Sequence, residues 1–308
     1  MILYVARRVL GLAGTLVGVT FVIYAMVFAL PGDPVAALGG DRPLSPSVVA
    51  QLRQQYNLDE PLVVQYLLYL GGVLTGDLGS DFNGRSVAGQ MAGRWPTTIA
   101  LALTAWGLQI VVGVVLGVVA GLRRGSLLDR GVLLLTILIS SVPVFVLGVT
   151  AQLVVGVRWQ LLPIAGSSAG WPTAYLLPAA VIAVFGLAPI ARLVRGSVSD
   201  TLGADFVRAH RAKGLSPRRV VGLHVMRSSA IPVLTYLAVD LGLLLGGTVV
   251  VEGIFNLPGV GQLLFSAVRE QEGAIVVGVS TALVVIFLLA SLVVDLVASA
   301  LDPRIRRA

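Results

Sequence analysis

Residues 9–30 read VLGLAGTLVGVTFVIYAMVFAL, 22 consecutive residues without a charge. An α-helix rises about 1.5 Å per residue, so roughly 20 apolar residues cross the ~30 Å hydrocarbon core of a bilayer. This stretch is long enough to span, and the basic pair Arg7-Arg8 precedes it. It exceeds the roughly 7–15 apolar residues of a cleaved signal-peptide core, so it reads as a retained helix. Five further apolar runs follow: Thr97 to Leu122, Gly131 to Val157, Tyr175 to Ala191, Ala230 to Val251 and Ala274 to Ala298. The fourth is short and holds Pro178 and Pro189. Asp240 interrupts the fifth, and Asp295 stands near the end of the sixth. The expected fold is an all-α polytopic membrane protein with six transmembrane helices.

Composition excludes the main alternatives. Hydrophobic residues make up 56% of the 308, charged residues 12%, and mean hydropathy is +0.93, too apolar to coat a soluble core with polar surface. Cysteine is absent, which removes disulfide scaffolds, thiol catalysis and thiolate-bound metal. The single lysine, Lys213, is followed by Gly214, so no GxxxxGK[ST] phosphate loop exists and the chain carries no ATPase of that type.

Arginine placement sets direction. With the N-terminus inside, 16 of the 22 basic residues fall on inside segments, and four of the outside six lie in one long loop. The positive-inside bias therefore places both termini in the cytoplasm. The net charge of +7 belongs to arginines near lipid headgroups, not to a nucleic-acid surface. The resulting partition is residues 1–30 for the N-terminus and first helix, 31–96 for an extracytoplasmic loop domain, 97–298 for a membrane core with five helices that includes the cytoplasmic loop 196–229, and 299–308 for a cytoplasmic tail.

The loop 31–96 is too long for a connector. Ser45 can cap a helix with Pro46 at its first position, running through Val48, Val49, Leu52 and Tyr56 to a left-handed Asn57. Pro61 then opens Leu62 to Leu70, which Gly71 and Gly72 end. The loop is either a docking surface for an external partner or a lid over helix ends.

The inside loop 196–229 has stronger punctuation. A helix fits Ala204 to Ala212, and Gly214 sits where a C-terminus wants a left-handed residue. Ser216 can cap a second helix with Pro217 at its first position. Helix, glycine turn, helix is either an inert connector or a handle for a soluble motor. Asp240, the acid deepest inside a span, must face the bundle or a wet cavity, as a substrate-path charge or a carboxyl bonded to a neighbouring helix. Glu252, Asn256, Pro258 and Gly259 mark an outside turn before the amphipathic stretch Gln262 to Val268, an outer gate or a packed cap. His210 and His224 lie fourteen apart, unlike the i, i+4 spacing of a helical metal pair, so no metal site is expected.

These features, in order along nearly the whole chain, resemble the permeases of bacterial ATP-binding-cassette importers of the peptide and nickel group. The shared strings are Arg7-Arg8 through Pro31-Gly32-Asp33-Pro34; Gly76-Asp77-Leu78-Gly79; Asp205 through Ser216; His224 to Pro232; Glu252-Gly253-Ile254-Phe255 with Pro258-Gly259-Val260-Gly261; and Leu301 to Arg306. The family's cytoplasmic signature runs Glu-Ala-Ala, three residues, then Gly; here those positions hold Arg208, Ala209, His210 and Gly214. The resemblance implies that Asp205, Arg208, Ala209, His210, Lys213, Gly214, Leu215, Ser216 and Arg218 couple to an ATPase groove. It also implies a second homologous permease, two ATPase domains carrying ATP and Mg, an external substrate-binding protein and a bacterial inner-membrane location. The chain itself is expected to be non-catalytic and to bind no cofactor. Its expected cargo is dipeptides or oligopeptides, with nickel chelates or haem as the alternative.

An ion-coupled transporter would show a relay of intramembrane carboxylates or histidines, and this chain has only Asp240 with Asp295 near the inside end. An intramembrane hydrolase would need a base near Ser140, Ser141 or Ser280, and neither histidine lies in a span.

Overall fold

The computed structural model describes residues 2–29, 45–55 and 57–301, and helices form its elements. α1 (Ile2–Phe28), α2 (Pro46–Gln55), α3 (Leu62–Leu74), α4 (Val87–Ala92) and α5 (Trp95–Leu122) open the chain. α6 (Leu127–Ser140) and α7 (Val144–Ala151) follow, α7 continuing as a π-helical segment to Arg158. Next come α8 (Thr173–Leu202), α9 (Asp205–Ala212), α10 (Pro217–Arg219) and, after a π-helical stretch over Val220–Val225, α11 (Met226–Gly247). α12 (Val249–Ile254), α13 (Val260–Arg269) and α14 (Gly273–Leu301) complete the order. The strings Pro31 to Pro34 and Asp302 to Arg306, the Tyr56 position and the Asp295 side chain lie outside the described residues.

Among the described residues five helices are long and apolar enough to cross a membrane: Arg7–Phe28, Trp95–Leu122, Thr173–Leu202, Pro217–Leu244 and Gly273–Val293. The run Gly131 to Val157, expected as one span, is two helices bent by 95°, a broken span or re-entrant loop that brings the candidate spans to six if the pair is counted as one. The break falls at Ser141-Val142-Pro143. Proline lacks the N–H that would continue the ladder, and its ring disfavours helical geometry at Val142. The short fourth run lies in the N-terminal two-thirds of a 30-residue helix with Pro178 and Pro189 inside it. At ~1.5 Å per residue such a helix reaches ~45 Å, beyond the hydrocarbon thickness. In the first loop, Pro46–Gln55 is helical and Asn57 takes φ 52°.

The chain folds as two compact units, one of residues 1–99 with 245–308 and one of residues 100–244. In the first, α1 and α3 meet α14 around Tyr24, Tyr66 and Val277, where the Tyr66 hydroxyl donates to the Val17 carbonyl at 2.8 Å. A second core joins Val87 and Met91 of α4 to Val260 and Leu263 of α13 and to Ile275 and Val279 of α14.

In the second unit, α5 lies against α8 through Gly113, Gly117 and Gly121. A Cβ on Gly117 would stand 2.6 Å from both the Ala191 carbonyl oxygen and Val194 Cβ, so only glycine permits this approach. α6 is tied to α8 by Asp129, 1% exposed, which receives a two-pronged contact from the Arg195 guanidinium and the Gly125 N–H at 2.8 Å. A core of Ile190, Val194, Val198, Val207, Val220 and Val225 then fuses α8 to the segments after it.

Candidate functional site

The 204–228 region is built from backbone capping upward. Ala204 takes extended geometry as the N-cap of α9, with Asp205 in the first turn, where a carboxylate suits the exposed N–H groups. It ends in a hydrogen-bonded stop: the Leu215 N–H donates to the His210 carbonyl at 3.3 Å and the Gly214 N–H to the Arg211 carbonyl at 3.0 Å. This 6→1 and 5→2 pair closes a Schellman motif, which needs a left-handed residue between its ends. Gly214 supplies it at φ +79°. Ser216 takes extended geometry before Pro217, and its carbonyl receives Arg219 and Val220, both at 3.0 Å. Its hydroxyl makes no capping bond, so the expected side-chain cap is replaced by the fixed φ of Pro217.

Apolar anchors hold this bend. Val207, Val220 and Val225 are each fully buried in the core with α8, while Asp205, Arg208, Ala209, Lys213, Gly214, Ser216 and Arg218 are exposed and Leu215 is half-buried. Asp205 pairs with Arg208 one turn on, but both are solvated and the pair adds little stability. The histidines fourteen apart in sequence meet in space. Their rings stack at 4.0 Å between centroids, and His210 Nδ1 lies 2.6 Å from the Phe206 carbonyl. Sequence spacing missed this pair because the glycine turn folds one segment back on the other.

Asp240 sits elsewhere in the same unit, on α11 and 7% exposed. Its partner is Gln109 of α5, fully buried, whose amide donates to Asp240 Oδ2. A Cβ on Gly186 of α8 would fall 1.8 Å from Gln109 Oε1, so the glycine makes room for the amide. The geometry is a polar node among three helices. No periodicity in the sequence singles out Gln109; only the fold selects it.

The Glu252–Gly259 turn belongs to the other unit. Asn256 adopts φ 46° after α12, and the Leu257 N–H returns to the Glu252 carbonyl at 3.0 Å, again a left-handed helix stop. Glu252 is fully buried; its Oε2 accepts the Gln262 N–H at 3.0 Å, while Thr98 Oγ1 accepts the Val260 N–H at 2.9 Å. The N-terminus of α13 is thus capped by side chains from two other helices. Gly259 is required there, since a Cβ would lie 2.1 Å from Glu252 Oε2. Pro258 and Asn256 face outward, exposed. Thr98 carries no local signal that would have marked it.

Residues 113–307 match the family model described as the inner membrane component of binding-protein-dependent transport systems, and residues 1–102 match its N-terminal companion. The chain belongs to this family.

Among its relatives, the dipeptide transport system permease DppB of Escherichia coli K12 is 33% identical over 99% of both chains. The di/tripeptide permease DppB of Pseudomonas aeruginosa is likewise 33% identical over 99% of both. A putative peptide transport permease of Brucella abortus is 35% identical over 98% of both. In structure, a chain of the inward-facing MetNI methionine ABC transporter aligns with TM-score 0.53 at 19% identity, over 69% of this chain and 96% of that one, which supports the fold. The protein is a multi-pass permease component of a binding-protein-dependent importer.

Proposed function

We propose that this chain forms half of an ATP-driven path for dipeptides or oligopeptides across the bacterial inner membrane. It pairs there with a second, homologous permease, while two partner ATPase domains carry ATP and Mg and an external binding protein delivers the cargo. Both termini face the cytoplasm. The peptide assignment is supported by relatives of nearly full-length match. The observation that carries the coupling role is the bend at 205–218. Its inner side is locked into the α8 core by Val207, Val220 and Val225, and its outer rim of Arg208, Ala209, Lys213, Gly214, Ser216 and Arg218 is exposed.

A motor shifts a two-state equilibrium only through contacts that differ between the states. A rim rigidly joined to α8 passes displacement to a membrane helix, whereas a loose loop would absorb it. Asp240, bonded to Gln109, stands on the substrate path, and the Glu252–Gly259 turn, stapled to α13, serves as the outer gate.

Because the chain has no cysteine, single substitutions test the coupling directly. Ala209→Cys should crosslink to cysteines placed on the ATPase partner, with a yield that changes on ATP binding, in vesicles that take up a labelled dipeptide only with ATP. Absence of any adduct from positions 205–218, in vesicles that still transport, would overturn the assignment.

A further inference from the structure

The string Gly76-Asp77-Leu78-Gly79, outside the elements used above, builds one wall of a cavity in the first unit. The cavity measures about 170 Å³ and is lined by Tyr24 and Phe28 of α1, Gln65 and Tyr69 of α3, Asn57, and Asp77, with α14 closing it behind. Both glycines of the string are left-handed, Gly76 at φ +87° and Gly79 at φ +90°. The Asp77 N–H donates to the Gly72 carbonyl at 2.9 Å, and the Gly79 N–H donates to Asp77 Oδ1 at 2.9 Å. That turn fixes the carboxylate at the cavity. Among the described residues Asp77 has no ion-pair partner, and its Oδ2 receives no hydrogen bond.

Aromatic rings line the same space. The Tyr24 ring lies 4.7 Å from Phe28 and 5.4 Å from Tyr69 between centroids. Among the described residues no basic side chain lines the space. Asp77 is exposed and caps its own turn through one oxygen, and the rings of Tyr24, Phe28 and Tyr69 that line the cavity also pack the core of α1, α3 and α14. Aromatic faces attract cations electrostatically within about 6 Å, and a carboxylate beside them adds charge while a cavity this small selects a group rather than a whole drug-sized molecule.

We infer that this cavity binds an organic ammonium group, between the Asp77 carboxylate and the rings of Tyr24, Phe28 and Tyr69. Two sources carry that chemistry: the amino terminus of a peptide and the ethanolamine headgroup of a lipid. The inference does not require the transport reading, because its test reads binding and not uptake.

The full chain in phosphatidylglycerol nanodiscs, which contain no amine, is titrated with ethylammonium chloride and followed by saturation-transfer NMR. Saturable binding is expected, weakened about tenfold by Asp77→Asn and by Tyr24→Leu. Asp77→Asn keeps an oxygen for the Gly79 N–H, so the turn persists, and an unchanged thermal midpoint verifies this. Non-saturable signal in the wild type, or undiminished binding in both variants, overturns the site. Glycylglycine, N-acetylglycylglycine and nanodiscs containing phosphatidylethanolamine are then run as competitors. Displacement by glycylglycine but not its acetylated form assigns the peptide terminus, and displacement by phosphatidylethanolamine assigns the headgroup. Displacement by neither, or by the acetylated peptide equally, overturns the ammonium assignment.

Discussion

Gly214→Val isolates the bend from everything around it. Gly214 holds φ +79°, and a Cβ built there meets nothing within 4 Å. The penalty therefore comes from backbone conformation alone, with no clash to relieve. An L-residue in the left-handed region costs about 1–2 kcal/mol, with β-branched valine at the upper end. At ~1.4 kcal/mol per tenfold, the native bend should lose population by roughly 5- to 30-fold against relaxed alternatives. Asparagine tolerates this region far better, so coupling should fall in the order Gly, Asn, Ala, Val. The assay is labelled-peptide uptake and substrate-stimulated ATP turnover in vesicles holding the complete transporter, at matched membrane abundance. Valine equal to glycine in both readouts would refute the reasoning, and so would asparagine as damaging as valine, because backbone geometry would then not be the cause.

Three further outcomes are expected. Gly117→Leu places a Cβ 2.6 Å from the Ala191 carbonyl oxygen, and should lower the thermal midpoint of the detergent-solubilised protein by separating α5 from α8, an overpacking cost of about 1–3 kcal/mol or more; an unchanged midpoint would show that the helices can slide apart freely. Asp240→Asn retains an acceptor for the Gln109 amide and should preserve the midpoint, whereas Asp240→Leu strands that buried amide and should cost about 1–3 kcal/mol, measured by the same melt. Asp81 is fully buried, and although burial raises its pKa, the Arg85 N–H and guanidinium and the Asn83 N–H together hold it below the ordinary carboxylate value. A depressed folded pKa contributes stability that is complete above the unfolded value of ~3.9 and is lost as pH falls through the folded value. The wild-type midpoint should therefore drop below about pH 4 more steeply than that of Asp81→Asn; parallel curves would deny Asp81 that role.

How much of this was legible in the chain depends on the range of the interaction. The apolar runs located the membrane-crossing helices because burial in hydrocarbon is a local average over about 20 residues. The run from Gly131 to Val157 satisfied that average and still bends by 95°, since one proline overrides it. Gly214 and Asn57 were readable as left-handed stops, because a helix terminus is closed by its own neighbours in sequence. The Ser216 cap was expected on the same logic, yet the hydroxyl makes no such bond, because Pro217 alone fixes the start.

Partners from distant segments left no such trace. Asp240 was conspicuous, since a carboxyl inside a span is costly, but Gln109 across from it was not, nor was Gly186, which makes the space. The stack of His210 on His224, the reach of Thr98 to the start of α13 and the Asp129–Arg195 tie likewise join residues between 14 and 162 positions apart. By itself the sequence determined the membrane class, the family strings and the places where helices stop, all consequences of local hydrophobicity and backbone stereochemistry. Only the tertiary structure decided which buried polar group answers which. A hydrogen bond in an apolar interior is specified by where two helices pass within about 3 Å of each other, a distance that no single segment encodes.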